Sequence, residues 1–150
     1  MNYKCCFTGY RPSKMPFSLD KNSKEYKDFE NKIIEAVLKL SSDGCYEFYS
    51  GMAMGFDIIA AETILLFKEL YKDIVIRLIA VIPFENQADS YSEEWYSRYQ
   101  NILDSCDEKI VLSNKYFKGS YQKRNEYMVD NCDYVLTYFD GQSGGTKKHY

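Results

Sequence analysis

At 150 residues, with 19 Lys and Arg against 22 Asp and Glu and a formal net charge of −3, the chain has the length of one ordinary domain. Its charges are interspersed and form no basic stripe of the kind that tracks a nucleic-acid backbone, so nucleic-acid binding is not expected. A lone His149 rules out a His-rich zinc site and no metal is expected, while five cysteines without C-x-x-C spacing predict buried thiols in a reducing compartment.

The N-terminus, "MNYKCCFTGYRP", enters strand-like sequence at once, without a long apolar leader, and no later run reaches transmembrane length. A cytoplasmic protein without membrane contact is the expectation. Tyr3 to Thr8 reads as a buried strand that ends at Gly9. From Ser23 to about Ser41, Tyr26, Phe29, Ile33, Val37 and Leu40 recur at three- and four-residue intervals and predict an amphipathic helix stopped near Gly44. Cys45 to Ser50 is a second strand, followed by the turn "GMAMGFD" and a helix, "IIAAETILLFKEL", apolar around most of its circumference. Ile74 to Ile82 is a third strand, dense in β-branched residues and without clean alternation, as in a strand buried on both faces. A polar stretch carrying Trp95, Tyr99, Ile102 and Leu103 at helical spacing leads to a fourth strand, "EKIVLS". "QKRNEYMVDNC" reads as helix, "DYVLTYFD" as the fifth strand, and "GQSGGT" as a glycine loop opening a helix with almost no sequence left to form it.

Strand and helix alternate with connections too long for hairpins. A single domain over residues 1–150 follows, of α/β class: a doubly wound, mainly parallel, Rossmann-like sheet with helices on both faces and a truncated C-terminal helix. Ligands of such sheets bind outside the carboxyl ends of the strands. The segments there are "TGYRP", "SGMAMGFD", "PFENQ", "SNKYFKGSYQKRN" and "DGQSGGT". Gly51 and Gly55 precede a helix whose first N–H groups can face an anion; a tight turn that binds nothing is the equal alternative. Asp57 reads as a complement to the helix start, with acceptance from ribose hydroxyls as the functional alternative. Arg11 and Arg124 carry forks suited to phosphate, with an exposed salt-bridging arginine and a solvated helix arginine as the commoner alternatives. Neither G-x-G-x-x-G nor a P-loop is present, which removes the usual dehydrogenase and NTPase readings.

Taken together, "FTGYRP", "SGMAMGFDIIAAE", "AVIPFENQ", "KRNEYMVDNCDYVLTYFD" and "SGGT" resemble, in order and over almost the whole chain, the YpsA-like family of the SLOG superfamily. That Rossmann-like group also holds the DNA-processing protein DprA and the LONELY GUY phosphoribohydrolases. The resemblance implies a nucleotide-derived ligand (ADP-ribose, NAD-like or a nucleoside phosphate) at the carboxyl edge, and no other cofactor. By the same resemblance Thr8, Gly9 and Arg11 form the first loop, Ser50, Gly51, Ala53, Gly55 and Asp57 the second, and Pro83 and Gln87 the third. Arg124 and Asn125 resemble the Arg-Asn pair of the DNA-processing relatives, and Gly144, Gly145 and Thr146 the Gly-Gly-Thr turn.

Phosphoribohydrolases of this group carry a glutamate where this chain has His149, so the resemblance points to binding or sensing without turnover. An N-glycosidic hydrolase is the alternative, and a single-stranded nucleic-acid module through "SNKYFKGSYQKR" a further one. The chain stops four residues past Thr146. Relatives continue through a helix and strand there, so a second copy is expected to cover the sheet surface in a homo-oligomer.

Overall fold

Ser23 opens the first long helix by accepting from the Tyr26 N–H at 3.2 Å, and the apolar stripe that follows turns Tyr26, Phe29, Ile33, Val37 and Leu40 inward. The structure, a computed structural model, describes residues 2–139 and 142–147, with side chains placed through Tyr138. Its elements are β1 (Tyr3–Gly9), α1 (Lys24–Ser42), β2 (Cys45–Ser50), α2 (Phe56–Leu70), β3 (Arg77–Ile82), α3 (Glu93–Ser105), β4 (Glu108–Val111), α4 (Ser120–Asn131), β5 (Tyr134–Phe139) and β6 (Gln142–Lys147). Short 3-10 turns at Pro12–Lys14 and Gln87–Ser90 shape two of the connections. Ile74 and Val75 precede β3 instead of starting it. The strand begins at Arg77 because pairing with β2 begins there, Arg77 opposite Glu47, and Val75 is exposed.

The sheet order is β4-β3-β2-β1-β5-β6, and β1 to β5 are parallel. This five-stranded parallel sheet with four helices is the Rossmann-like arrangement expected of the alternating elements. Right-handed crossovers dictate how the helices divide. Three successive crossovers step one way, from β1 to β4, and put α1, α2 and α3 on one face. The single crossover from β4 back past β1 to β5 runs the other way and puts α4 on the opposite face. The packing follows this division. Phe7, Phe48, Leu78 and Leu136 pack with Phe29, Phe56, Ile64 and Ile102 on the first face. On the second, Cys6, Tyr49, Ile79 and Val81 meet Met128 of α4 and Cys132 just past its end.

Four of the five cysteines are buried, and Cys106 is half-buried. Among the described residues no helix is long and apolar enough to cross a membrane.

The C-terminal segment departs from expectation. Residues 142–147 do not open a helix; they form β6, antiparallel to β5, with Gln142 opposite Phe139 and Lys147 opposite Tyr134. The outer edge of β5 presents a row of backbone N–H and C=O groups, and an extended segment satisfies them residue by residue where a helix could not.

Candidate functional site

The direction reversal between β1 and β5 marks the switch point of the sheet, and the loops beside it approach one another closely. At the end of β1, Gly9 leaves room for a ring: a Cβ there would lie 2.6 Å from Phe56. Phe56 opens α2 and packs against Phe7, Phe29 and Tyr138. Its N–H donates to the Tyr10 carbonyl at 3.0 Å, which fastens the start of α2 to the first loop. Gly55, with φ of 93°, makes this approach possible.

The second loop is held by its own side chains and by its neighbours. Ser50 Oγ donates to the Asp57 carbonyl at 2.9 Å and accepts from the Met52 N–H at 3.2 Å. Met52 is in the left-handed region at φ 62°, and its carbonyl accepts from Tyr91 Oη at 2.9 Å. The Gly51 carbonyl accepts from both Gln87 Nε2 at 3.0 Å and Arg124 Nη1 at 2.5 Å. Gln87 is itself positioned by Tyr99 Oη at 3.3 Å. The β2 loop therefore turns carbonyls toward the core and α4, while the first-turn N–H groups of Asp57 and Ile58 have no acceptor within their own helix.

Arg124 is the central side chain. It is 3% exposed, reaches from α4 across to Gly51, and donates through Nε to Asn125 Oδ1 at 2.8 Å. A Cβ on Gly51 would lie 2.7 Å from its guanidinium carbon, so glycine is needed there for close approach. Tyr121 lies alongside, its ring centroid 5.7 Å from the Arg124 guanidinium carbon and 5.9 Å from that of Arg11. Among the described residues Arg124 has no carboxylate within ion-pair distance, and burial lowers its affinity for its proton.

Asp57 is 7% exposed and accepts from the Ala53 N–H at 3.4 Å. Burial pushes its carboxyl from the ordinary 3.8 up to about 6, against the pull of Arg124, the Ala53 N–H and Arg11. Because the folded chain holds this proton more tightly than the unfolded one, the stability that protonation confers is complete below 3.8 and is lost as pH rises through 6. Asp57→Asn cannot ionise. Relative to the parent it is expected to gain about 3 kcal/mol between acid and neutral pH, measured as urea-unfolding free energy at each pH. Parallel pH profiles for the two proteins would show that Asp57 titrates normally.

The structure thus brings together Gly9, Arg11, Ser50, Gly51, Ala53, Gly55, Asp57, Gln87, Arg124 and Asn125. Thr8 lies one residue back on β1 opposite Thr137, and Pro83 is buried just past the end of β3. Arg11 and Asn125 are exposed. Gly144, Gly145 and Thr146 are placed differently from a helix-opening loop. They lie on β6 opposite Thr137, Leu136 and Val135, on a backbone running away from the carboxyl edge. Asp140, Gly141 and His149 lie outside the described residues. Tyr91 and Tyr99 support the site without any sequence signal for it, since each depends on a loop carbonyl or amide brought near only by the fold. Among the described residues no group of three or more His, Cys, Asp or Glu side chains is placed to hold a metal.

Residues 5–150 match the family model described as the YspA SLOG family. The chain belongs to this YpsA family. The SPbeta prophage-derived protein YoqJ of Bacillus subtilis is similar to it, 28% identical over 131 residues that cover 79% of this chain and 75% of that protein. A UPF0398 protein of Halalkalibacterium halodurans is 28% identical over 148 residues, 95% of this chain and 75% of its own length. Another UPF0398 protein, from Lactobacillus acidophilus, is 27% identical over 150 residues with the same two coverages. The chain spans about three-quarters of the length of each of these relatives.

Proposed function

We propose that this YpsA-family chain binds a nucleotide-derived small molecule, such as ADP-ribose, an NAD-like compound or a nucleoside phosphate, at the carboxyl edge of the sheet and does not turn it over. The burial of Arg124 carries this reading. A guanidinium removed from water costs free energy unless an anion compensates it, and here its direct partners are a backbone carbonyl and an amide oxygen. A phosphate in the groove between Gly51, the start of α2 and Arg11 gives the guanidinium the direct anionic partner that Asp57, acting only at longer range, does not, and meets the first-turn N–H groups that lack acceptors in their own helix. In this reading Asp57, the second residue of α2, accepts from hydroxyls of a ribose. The test is thermal stabilisation of the parent by AMP, GMP, ATP, NAD and ADP-ribose. An unchanged melting temperature with every one of them at millimolar concentration overturns the reading.

The elevated carboxyl of Asp57 favours one second reading, N-glycosidic hydrolysis with Asp57 exchanging a proton at the scissile bond. Free base released from AMP or GMP near pH 6, and absent with Asp57→Asn, is the result that would establish it.

A further inference from the structure

Beside the groove stands a group of rings that the anion-binding reading leaves without a role. The loop between β4 and α4 carries Tyr116 at 58% exposure and Phe117 at 41%. Tyr116 meets the buried Phe84 edge-to-face at 5.5 Å, Tyr121 meets Phe84 edge-to-face at 5.6 Å, and Tyr116 and Tyr121 are 6.3 Å apart. In an edge-to-face pair one ring offers its rim and the other a single face. Whichever role Tyr116 takes, at least one of its faces is left by Phe84. The loop is pinned: Glu85 N–H donates to the Ser113 carbonyl at 3.2 Å, Ser113 Oγ to the Lys115 carbonyl at 2.9 Å, and Ser120 N–H to the Phe117 carbonyl at 3.0 Å.

We propose that Tyr116 and Tyr121, backed by Phe84, are the platform on which the base of the bound nucleotide stacks. This rests on the binding reading above and names what lies at the far end of the ligand. Tyr121 borders the anion groove through its contacts with Arg11 and Arg124, and Tyr116 lies one ring further out. A 5′-phosphate at Arg124 therefore places its base, at the other end of the sugar, over these rings. Stacking tolerates any base because each has a π face, so the platform selects nucleotides over sugar phosphates more than one base over another.

Calorimetric titration of AMP and of ribose 5-phosphate into the parent, Tyr116→Ala and Tyr116→Phe tests this. The parent is expected to bind AMP about 10-fold more tightly than ribose 5-phosphate. Tyr116→Ala should lose that preference through weaker AMP binding alone, and Tyr116→Phe should keep it. Equal binding of the two ligands by the parent, or a preference that survives Tyr116→Ala, overturns the platform and leaves the anion site standing. If neither ligand binds, the platform falls, and the anion site stands or falls with the thermal-stability panel. An oligodeoxythymidylate that binds more tightly than dTMP, with the difference lost in Tyr116→Ala, supports the platform and makes a single strand its source of bases.

Discussion

Replacing Gly55 with Ala is expected to cost about 4 kcal/mol of folding stability and to lower the melting temperature by roughly 10 °C. Two effects act at once. At φ 93° and ψ −130° the backbone lies where a side chain is strained. The new Cβ would also sit 2.5 Å from the Tyr10 carbonyl oxygen and 3.0 Å from two Arg11 backbone atoms. Because these neighbours are backbone, relief requires moving the β1 loop or the start of α2, and that movement breaks the 3.0 Å bond from Phe56 N–H to Tyr10. Gly119→Ala is the natural control. Gly119 has a similar φ of 91°, but a Cβ there meets nothing within 4 Å, so only the conformational cost of about 1–2 kcal/mol applies. Urea unfolding of the two variants separates strain from collision. If Gly55→Ala proves as mild as Gly119→Ala, the two loops are not held against each other as described.

Arg124→Ala is expected to weaken the nucleotides that stabilise the parent by about 100-fold, the value of a charge-assisted hydrogen bond to phosphate made out of contact with water. Folding stability should change little, within about 1 kcal/mol. Removing the buried guanidinium relieves its desolvation, which offsets the loss of its pull on the Asp57 carboxyl, and the Gly51 carbonyl still accepts from Gln87. Gly51→Val provides an independent perturbation that keeps the charge. Its Cβ would lie 2.7 Å from the guanidinium carbon, and a flexible side-chain end moves aside more easily than backbone. The prediction is loss of ligand-induced thermal stabilisation in both variants. Stabilisation that persists in both would place the ligand elsewhere on the protein.

Much of the fold was legible because hydrophobic periodicity is local. The stripe from Tyr26 to Leu40 and the cap at Ser23 define α1 to within a residue or two. The nearly all-apolar α2 announces its burial between the sheet and its neighbouring helices. Boundaries set by pairing were less legible: Ile74 and Val75 have strand composition, yet β3 waits for a partner on β2 at Arg77. The C-terminal glycines mislead for a related reason. Gly144 and Gly145 suit a phosphate loop by composition, but β5 has an unpaired outer edge and the segment lies along it.

The same division runs through the site. The order and spacing of Gly9, Gly51, Gly55, Asp57 and Arg124 identify the loops and the family, because turns and helix starts depend on residues adjacent in the chain. What each residue does there depends on partners far away in sequence. Gly9 makes room for Phe56, Ser50 ties the loop to Asp57, and Tyr91 holds a strained Met52. Arg124, by composition an ordinary solvated helix arginine, is buried because the return crossover lays α4 over the second face with its N-terminus at the carboxyl edge. Local chemistry in the sequence determined the elements, the glycine turns and the edge of the sheet where they gather. Only the tertiary structure decided which charges are taken out of water, since desolvation depends on everything packed around a group and not on its neighbours along the chain.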